Sequence, residues 1–242
     1  MENNEKKCLL LLSGGKDSFL SACKVAEQGY EVYLVTYNNG CGLQIDNVNQ
    51  VTQALIKRYG EDKIKSLGVR PISGIWRSFF LPIFNMKPSN IAAEYGEITY
   101  SQLNCLTCRT AMYVYSIMLC KQMNIGTIAE GARRDQGFAI ELDDMINNYR
   151  ELLKKHNIEL LTPVHDLCDN WLLKNELLMS NFTPKTHEPQ CLIGVPLYGQ
   201  TLDDDVVKGV SAFFKKSILV SVDSVFKMLN DKILDTNGDL CE

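Results

Sequence analysis

Six consecutive residues, Ser13-Gly14-Gly15-Lys16-Asp17-Ser18, gather two hydroxyls, two glycines, an ammonium and a carboxylate into one turn. That set suits the phosphates of a nucleotide. Gly14 and Gly15 allow a ligand to approach the backbone where a Cβ would block it. Lys16 supplies a point charge, and Ser13 and Ser18 supply adaptable hydroxyl donors. The bland alternative is a tight turn with incidental polar residues, and the flanking sequence argues against it. The apolar run Cys8 to Leu12 reads as a buried strand, and Phe19, Leu20, Ala22, Cys23, Val25 and Ala26 follow with helical period. Strand, glycine-rich turn and helix together aim unpaired N–H groups and the positive end of a helix dipole at a phosphate. The loop is not of the Walker type, because Lys16 is followed by Asp17 and lacks the upstream glycine, and it contains no G-x-G-x-x-G.

A second constellation is Cys105-Leu106-Thr107-Cys108, followed by Arg109 and the apolar stretch Ala111 to Met123. The pattern places this C-x-x-C at a helix N-terminus, where it is either a redox dithiol with a dipole-stabilised thiolate or half of a metal site. A third cysteine, Cys191, lies far downstream between Pro189 and Gly194, in an expected loop. Three thiolates are one short of a closed structural zinc site, and on a 4Fe-4S cluster they would leave one iron free. Iron–sulfur, zinc or another metal, and free or redox thiols all stand as readings of the trio. Cys8, Cys23 and Cys120 lie in apolar elements and read as small core hydrophobes, Cys41 and Cys168 as loop residues without partners, and Cys241 as part of the tail.

These residues need a scaffold. Glu31 to Tyr37 reads as a second strand, ended by Asn38-Asn39-Gly40, and Asp46 as the cap of a helix running from Val48 to Tyr59 and stopped by Gly60. Val69 to Ile75 is a weaker strand with Pro71 near its start. Ile125 to Ala129 and Glu159 to Pro163 are two more strands, and Asp143 to His156 has helical period between them. Strands alternating with helices predict an α/β fold, an open parallel sheet with helices on both faces. Ligands of such sheets bind beyond the carboxyl ends of the strands, near the point where strand order reverses. That rule gathers Ser13 to Ser18, the backbone of Tyr37 and Asn38, and Glu130-Gly131-Ala132-Arg133-Arg134-Asp135-Gln136 at one edge. Arginines and an aspartate there suit pyrophosphate and Mg²⁺. Arg133 and Arg134 also read as a solvated surface pair.

At 242 residues the chain fits one domain, or one domain with an appendage. It has no apolar stretch of about 18 residues, so no membrane partner is expected. Lysines before a short apolar run mimic a signal peptide, but the run breaks into the charged loop too soon for one. Nine cysteines without a secretory signal predict thiols and metal chemistry in a cytoplasmic protein. A net charge of −4 offers no global footprint for nucleic acid. Local basic residues are Arg70, Arg77 and Lys87, then Lys208, Lys215 and Lys216. Trp76-Arg77-Ser78-Phe79-Phe80 reads as a base-stacking surface or as a partly buried helix start. The apolar stretch Val206 to Leu229 predicts one or two helices packed on the sheet domain or on a second copy, as in a homodimer.

The loop Ser13 to Ser18 resembles the signature of the PP-loop ATP pyrophosphatases, and the added C-x-x-C and single downstream cysteine are similar to iron–sulfur-dependent tRNA thiolases. The likeness covers roughly Lys7 to Gly194. It implies an ATP pyrophosphatase domain over 1–200 and a helical C-terminal extension over 201–242. It further implies adenylation of a carbonyl-type substrate, release of AMP and pyrophosphate, and sulfur transfer to or from a nucleobase, a tRNA or a small molecule. Carried onto this chain, Ser13, Gly14, Gly15, Lys16, Asp17, Ser18, Tyr37 and Gly131 bind ATP. Lys16, Asp17, Arg133 and Asp135 act in catalysis with Mg²⁺. Cys105, Cys108 and Cys191 hold a 4Fe-4S cluster fed by a sulfide or persulfide donor. This chain departs from the family at Gly131-Ala132-Arg133, where many members have Gly-His. A zinc-containing ligase similar to the deazaguanine nitrile synthases, or a non-catalytic nucleotide-binding sensor, is the alternative.

Overall fold

The structure, a computed structural model, describes residues 6–180, 190–193 and 202–235. The chain runs β1 (Lys7–Leu11), α1 (Lys16–Glu27), β2 (Glu31–Asn38), β3 (Gly42–Leu43), α2 (Val48–Tyr59), β4 (Ile64–Pro71), α3 (Ser73–Phe84), α4 (Pro88–Tyr95) and α5 (Tyr100–Met123). It continues β5 (Thr127–Ala129), α6 (Asp143–Lys154), β6 (Glu159–Leu161), α7 (Asn170–Met179), β7 (Gln190–Cys191), α8 (Asp204–Phe213), a π-helical turn at Phe214–Ile218 and α9 (Leu219–Asp235). Five strands form a parallel sheet in the order β4-β2-β1-β5-β6. The predicted α/β architecture is therefore the observed one.

Side-chain alternation along β1 explains why the sheet is covered twice. Leu9 and Leu11 enter one apolar cluster with residues of α3, α5 and α6, among them Phe79, Tyr113 and Ile146. Cys8, Leu10 and Leu12 enter another, with Phe19 of α1, Val51 of α2 and Leu173 of α7. Val210, Phe213, Phe214, Ile218, Val222, Val225 and Leu229 join the first cluster. The apolar C-terminal stretch is thus buried on its own chain. Helices α8 and α4 touch backbone to backbone, since a Cβ at Gly209 would fall 2.0 Å from the Tyr95 carbonyl oxygen.

Several boundaries differ from the sequence reading. The strand expected at Val69 to Ile75 is β4, which begins at Ile64, while Ser73 already starts α3. Leu67 and Gly68 together oppose Val35, a bulge that Gly68 accommodates at φ 72°, and this edge strand therefore lacks a clean apolar alternation. A 3-10 turn over Ile45–Asn47 separates Asp46 from α2, so Asp46 does not cap that helix. The largest shift is in α5, which starts five residues before Cys105. Thr99 accepts from the Gln102 N–H, and the Gln102 side chain accepts from the Thr99 N–H at 2.8 Å, a reciprocal cap. Cys105 and Cys108 therefore lie one turn apart inside the helix, not at its N-terminus. Trp76 stacks on Phe80 within α3. The expected domain boundary at 200 and 201, and Cys241, lie outside the described residues.

Candidate active site

Strand order reverses between β1 and β5, which are paired, with β2 and β4 to one side and β6 to the other. The loops that leave these two strands are Ser13 to Ser18 and Glu130 to Gln136. In the first, Gly14 adopts φ 84° and Gly15 is the N-cap of α1 with no side-chain cap. The loop closes on itself: Ser13 Oγ donates to Ser18 Oγ at 3.1 Å and accepts from the Gly15 N–H at 3.2 Å, while Ser18 Oγ donates to the Gly15 carbonyl at 3.0 Å.

The second loop packs directly onto the first. A Cβ at Gly131 would lie 2.6 Å from the Ser18 backbone nitrogen, so only glycine permits this approach. Ser21 Oγ donates to the Glu130 carbonyl at 3.1 Å. Buried Arg133 holds its Nε 3.1 Å from Asp135 Oδ1 and 3.6 Å from Asp17 Oδ1. Gln136 Nε2 donates to Asp17 Oδ2 at 2.9 Å. Asp17 Oδ1 is nevertheless buried without a hydrogen bond. Burial pushes the Asp17 carboxyl up, and Arg133 and Lys16 pull it partly back. An orphaned carboxylate oxygen beside a second carboxylate is what a hard divalent cation would meet, so Asp17 and Asp135 fit Mg²⁺.

The two arginines separate. Arg133 points inward, whereas Arg134 pairs at the surface with Asp143 at 3.1 Å and Asp166 at 2.5 Å. The Tyr37 side chain belongs to the core, its hydroxyl 2.7 Å from Ser116 Oγ and its ring edge-on to Tyr115. Only its backbone faces the site region. The Asn38 carbonyl beside it accepts from the Ile72 N–H at 2.8 Å.

Cys105 and Cys108 lie within α5, whose Arg109 contacts the second loop at Glu130. Cys191 reaches them through a two-stranded antiparallel ribbon, β3 with β7, which pairs Gly42 with Cys191. No disulfide joins the three. Burial first, then the charge of Cys191, pushes the Cys105 thiol up to about 12. Burial, Cys105 and Cys191 do the same to Cys108, against weaker opposition from Arg109 and Asn39. Burial thus raises both thiols, and because neither lies at the helix N-terminus, the reading of a dipole-stabilised thiolate does not apply. Among the described residues, no group of three or more His, Cys, Asp or Glu is spaced to hold a metal ion. A cluster binds each thiolate at a different iron and brings the positive charge that buried thiolates need. The donor set fits that chemistry.

Four site residues were not singled out from sequence. Asn39 Nδ2 donates to Cys108 Sγ at 3.2 Å. Arg109, itself half-buried, pairs with buried Glu130 and bonds Glu141 Oε1 at 3.2 Å. Arg109 follows Cys108 and Glu130 precedes Gly131, so this pair ties the cysteine helix to the nucleotide loop. Adjacency to the two motifs was the only sequence signal.

No protein-family model and no curated protein matches the chain. Solved structures do. A 4-thiouridine synthetase, solved with RNA and bound ATP, superposes with TM-score 0.57 at 12% identity over 93% of this chain and 54% of that one. This chain thus spans about half the length of that synthetase. An NMN synthetase from Francisella tularensis gives TM-score 0.50 at 13% identity, covering 94% of this chain and 86% of that one. A predicted subunit of tRNA methyltransferase from Methanocaldococcus jannaschii gives 0.44 at 21% identity over 73% and 74%. With its sheet order and the superpositions at TM-scores 0.57 and 0.50, the chain has the α/β fold of the 4-thiouridine synthetase and the NMN synthetase.

Proposed function

We propose that the protein adenylates a carbonyl-type oxygen of a nucleobase, in tRNA or in a smaller molecule, and then exchanges the activated oxygen for sulfur. The observation that carries this reading is the contact between Asp17 of the first loop and Arg133 and Gln136 of the second, which forms one polar site at the switch point.

In this reading, Ser13 to Ser18 hold the ATP phosphates on the N–H groups of α1. Lys16 neutralises charge on the departing pyrophosphate, and Arg133 adds a fixed positive group beside it. Asp17 and Asp135 hold Mg²⁺, which when bound offsets charge on the phosphates. The substrate oxygen attacks the α-phosphorus, the bond to pyrophosphate breaks, and the oxygen leaves later as AMP. A 4Fe-4S cluster held by Cys105, Cys108 and Cys191 would supply the sulfur chemistry, replenished by a sulfide or persulfide donor. The Arg109–Glu130 pair holds the helix of Cys105 and Cys108 against the nucleotide loop. Residues 1–200 form the catalytic unit and 201–242 a packed extension, in a cytoplasmic protein. Among the described residues no helix is long and apolar enough to cross a membrane.

A nitrogen nucleophile in place of sulfur would make the chain a ligase, the reading to which the NMN synthetase likeness points. Both share the first half-reaction, and product analysis tests it. ATP incubated with protein and candidate nucleobase, tRNA or small-molecule substrates should yield AMP and pyrophosphate. ADP and inorganic phosphate alone would overturn the proposal.

A further inference from the structure

We propose that Cys41 is a fourth thiol of the cysteine site, closing the corner that Cys105, Cys108 and Cys191 leave open until an incoming ligand displaces it. This rests on the cluster reading above. From sequence, Cys41 is a loop cysteine without partners. The fold brings it to the site from two directions. Along the ribbon, the Leu192 N–H donates to the Cys41 carbonyl at 2.9 Å, one step from the Gly42–Cys191 pair. Through Asn39, the Cys41 N–H donates to Oδ1 at 2.8 Å while Nδ2 of the same amide donates to Cys108 Sγ. One buried amide therefore holds the Cys41 backbone and the Cys108 thiol together.

Cys41 differs from the inner pair in a way that suits a displaceable ligand. All four thiols are partly exposed, but Cys41 sits beside the two-residue ribbon, where Cys105 and Cys108 sit on the long helix α5. Gly40 at φ 89° precedes it and Gly42 follows, so both backbone neighbours lack a Cβ. Cys8, Cys23 and Cys120 are buried among apolar side chains, and Cys168 is exposed near Asp135 and Arg134. Displacement would be a ligand exchange: the Cys41 thiolate leaves iron and takes up a proton, and no electron moves.

An iron held by no protein thiolate is the one that a cluster gives up on mild oxidation. Protein purified without oxygen should hold about four irons per chain. After brief ferricyanide treatment, the wild type should keep them, and Cys41→Ala should lose about a quarter of its iron and show a three-iron paramagnetic signal. On the wild type itself, iodoacetamide should spare Cys41 in the loaded protein and label it after the iron is chelated. Equal iron loss in the two proteins, or equal labelling of Cys41 in both states, would overturn the role of Cys41 and leave the three-cysteine reading standing. A wild type without iron would overturn both.

Discussion

Arg133 Nε stands 3.6 Å from Asp17 Oδ1. This ion pair joins the residue after Lys16 to a loop more than a hundred residues away in the chain. It marks the place where the two loops of the proposed nucleotide site meet, so its loss is expected to show in ATP use before it shows in solubility. Arg133→Ala and Lys16→Ala should each lower AMP formation by roughly 10²-fold or more, by removing fixed positive charge from the phosphates. Lys24→Ala, which breaks only the half-exposed pair with Glu176, should leave turnover unchanged. Steady-state AMP release with each variant measures this.

Asp17 makes stability depend on pH. Burial holds its carboxyl above the ordinary carboxylate range. The folded chain then keeps a proton that the unfolded chain has already released. The resulting stability is fully present below the ordinary carboxylate pKa and is lost as pH rises through the raised folded value. Asp17→Asn should therefore melt higher than the wild type near neutral pH without nucleotide, with the gap closing towards about pH 4. It should also lose ATP turnover. A wild type that melts higher at neutral pH would show that Arg133 outweighs burial.

Gly131→Ala should damage both binding and stability. Its new Cβ would sit 2.6 Å from the Ser18 nitrogen, so the two loops must part. A cost of about 1–3 kcal/mol is expected from the forced backbone shift, with weaker ATP binding in the same variant. Gly126→Ala is the control, since its Cβ would meet nothing within 4 Å. Denaturant midpoints and nucleotide titration separate the two effects.

Arg109 is a half-buried cation between Glu130 and Glu141. Removing it takes the cation away from the buried Glu130 carboxylate, and Arg109→Ala should cost about 1–3 kcal/mol. Arg109→Met combined with Glu130→Gln should recover part of that loss, because fewer unpaired charges stay behind. Lys216→Ala, at the exposed pair with Glu94, should leave the unfolding midpoint nearly unchanged.

The cysteines divide into two classes. Cys105→Ala, Cys108→Ala or Cys191→Ala should remove most of the iron from anaerobically purified protein, since each deletes a main thiolate. Cys8→Ala, Cys23→Ala and Cys120→Ala should keep the iron and cost only packing energy, because all three are buried in apolar surroundings. Iron determination and visible absorption provide the readout. Stoichiometric zinc without iron would favour the ligase reading.

Local pattern was enough for most of the sheet and for the turn Ser13 to Ser18. β1, β2, β5, β6, α2 and α6 announce themselves by apolar runs or helical period bounded by turn residues, and Ser13 to Ser18 needs only its neighbours in the chain to take its shape. β4 was read too late in the chain because its bulge at Gly68 breaks the alternation on which a strand is recognised. The start of α5 escaped because its cap is a Thr99–Gln102 exchange, not a proline or glycine boundary, and the helix is buried nearly all round. The partners of these motifs were beyond sequence altogether. That Arg133 turns inward and Arg134 outward depends on Asp17, Asp143 and Asp166, each from a different segment. That Cys41 and Asn39 accompany Cys108 depends on a two-residue ribbon with Cys191. Sequence sets which backbone segments form, because those energies are local. The company each side chain keeps is set by the order in which the strands assemble, through contacts between residues far apart in the chain.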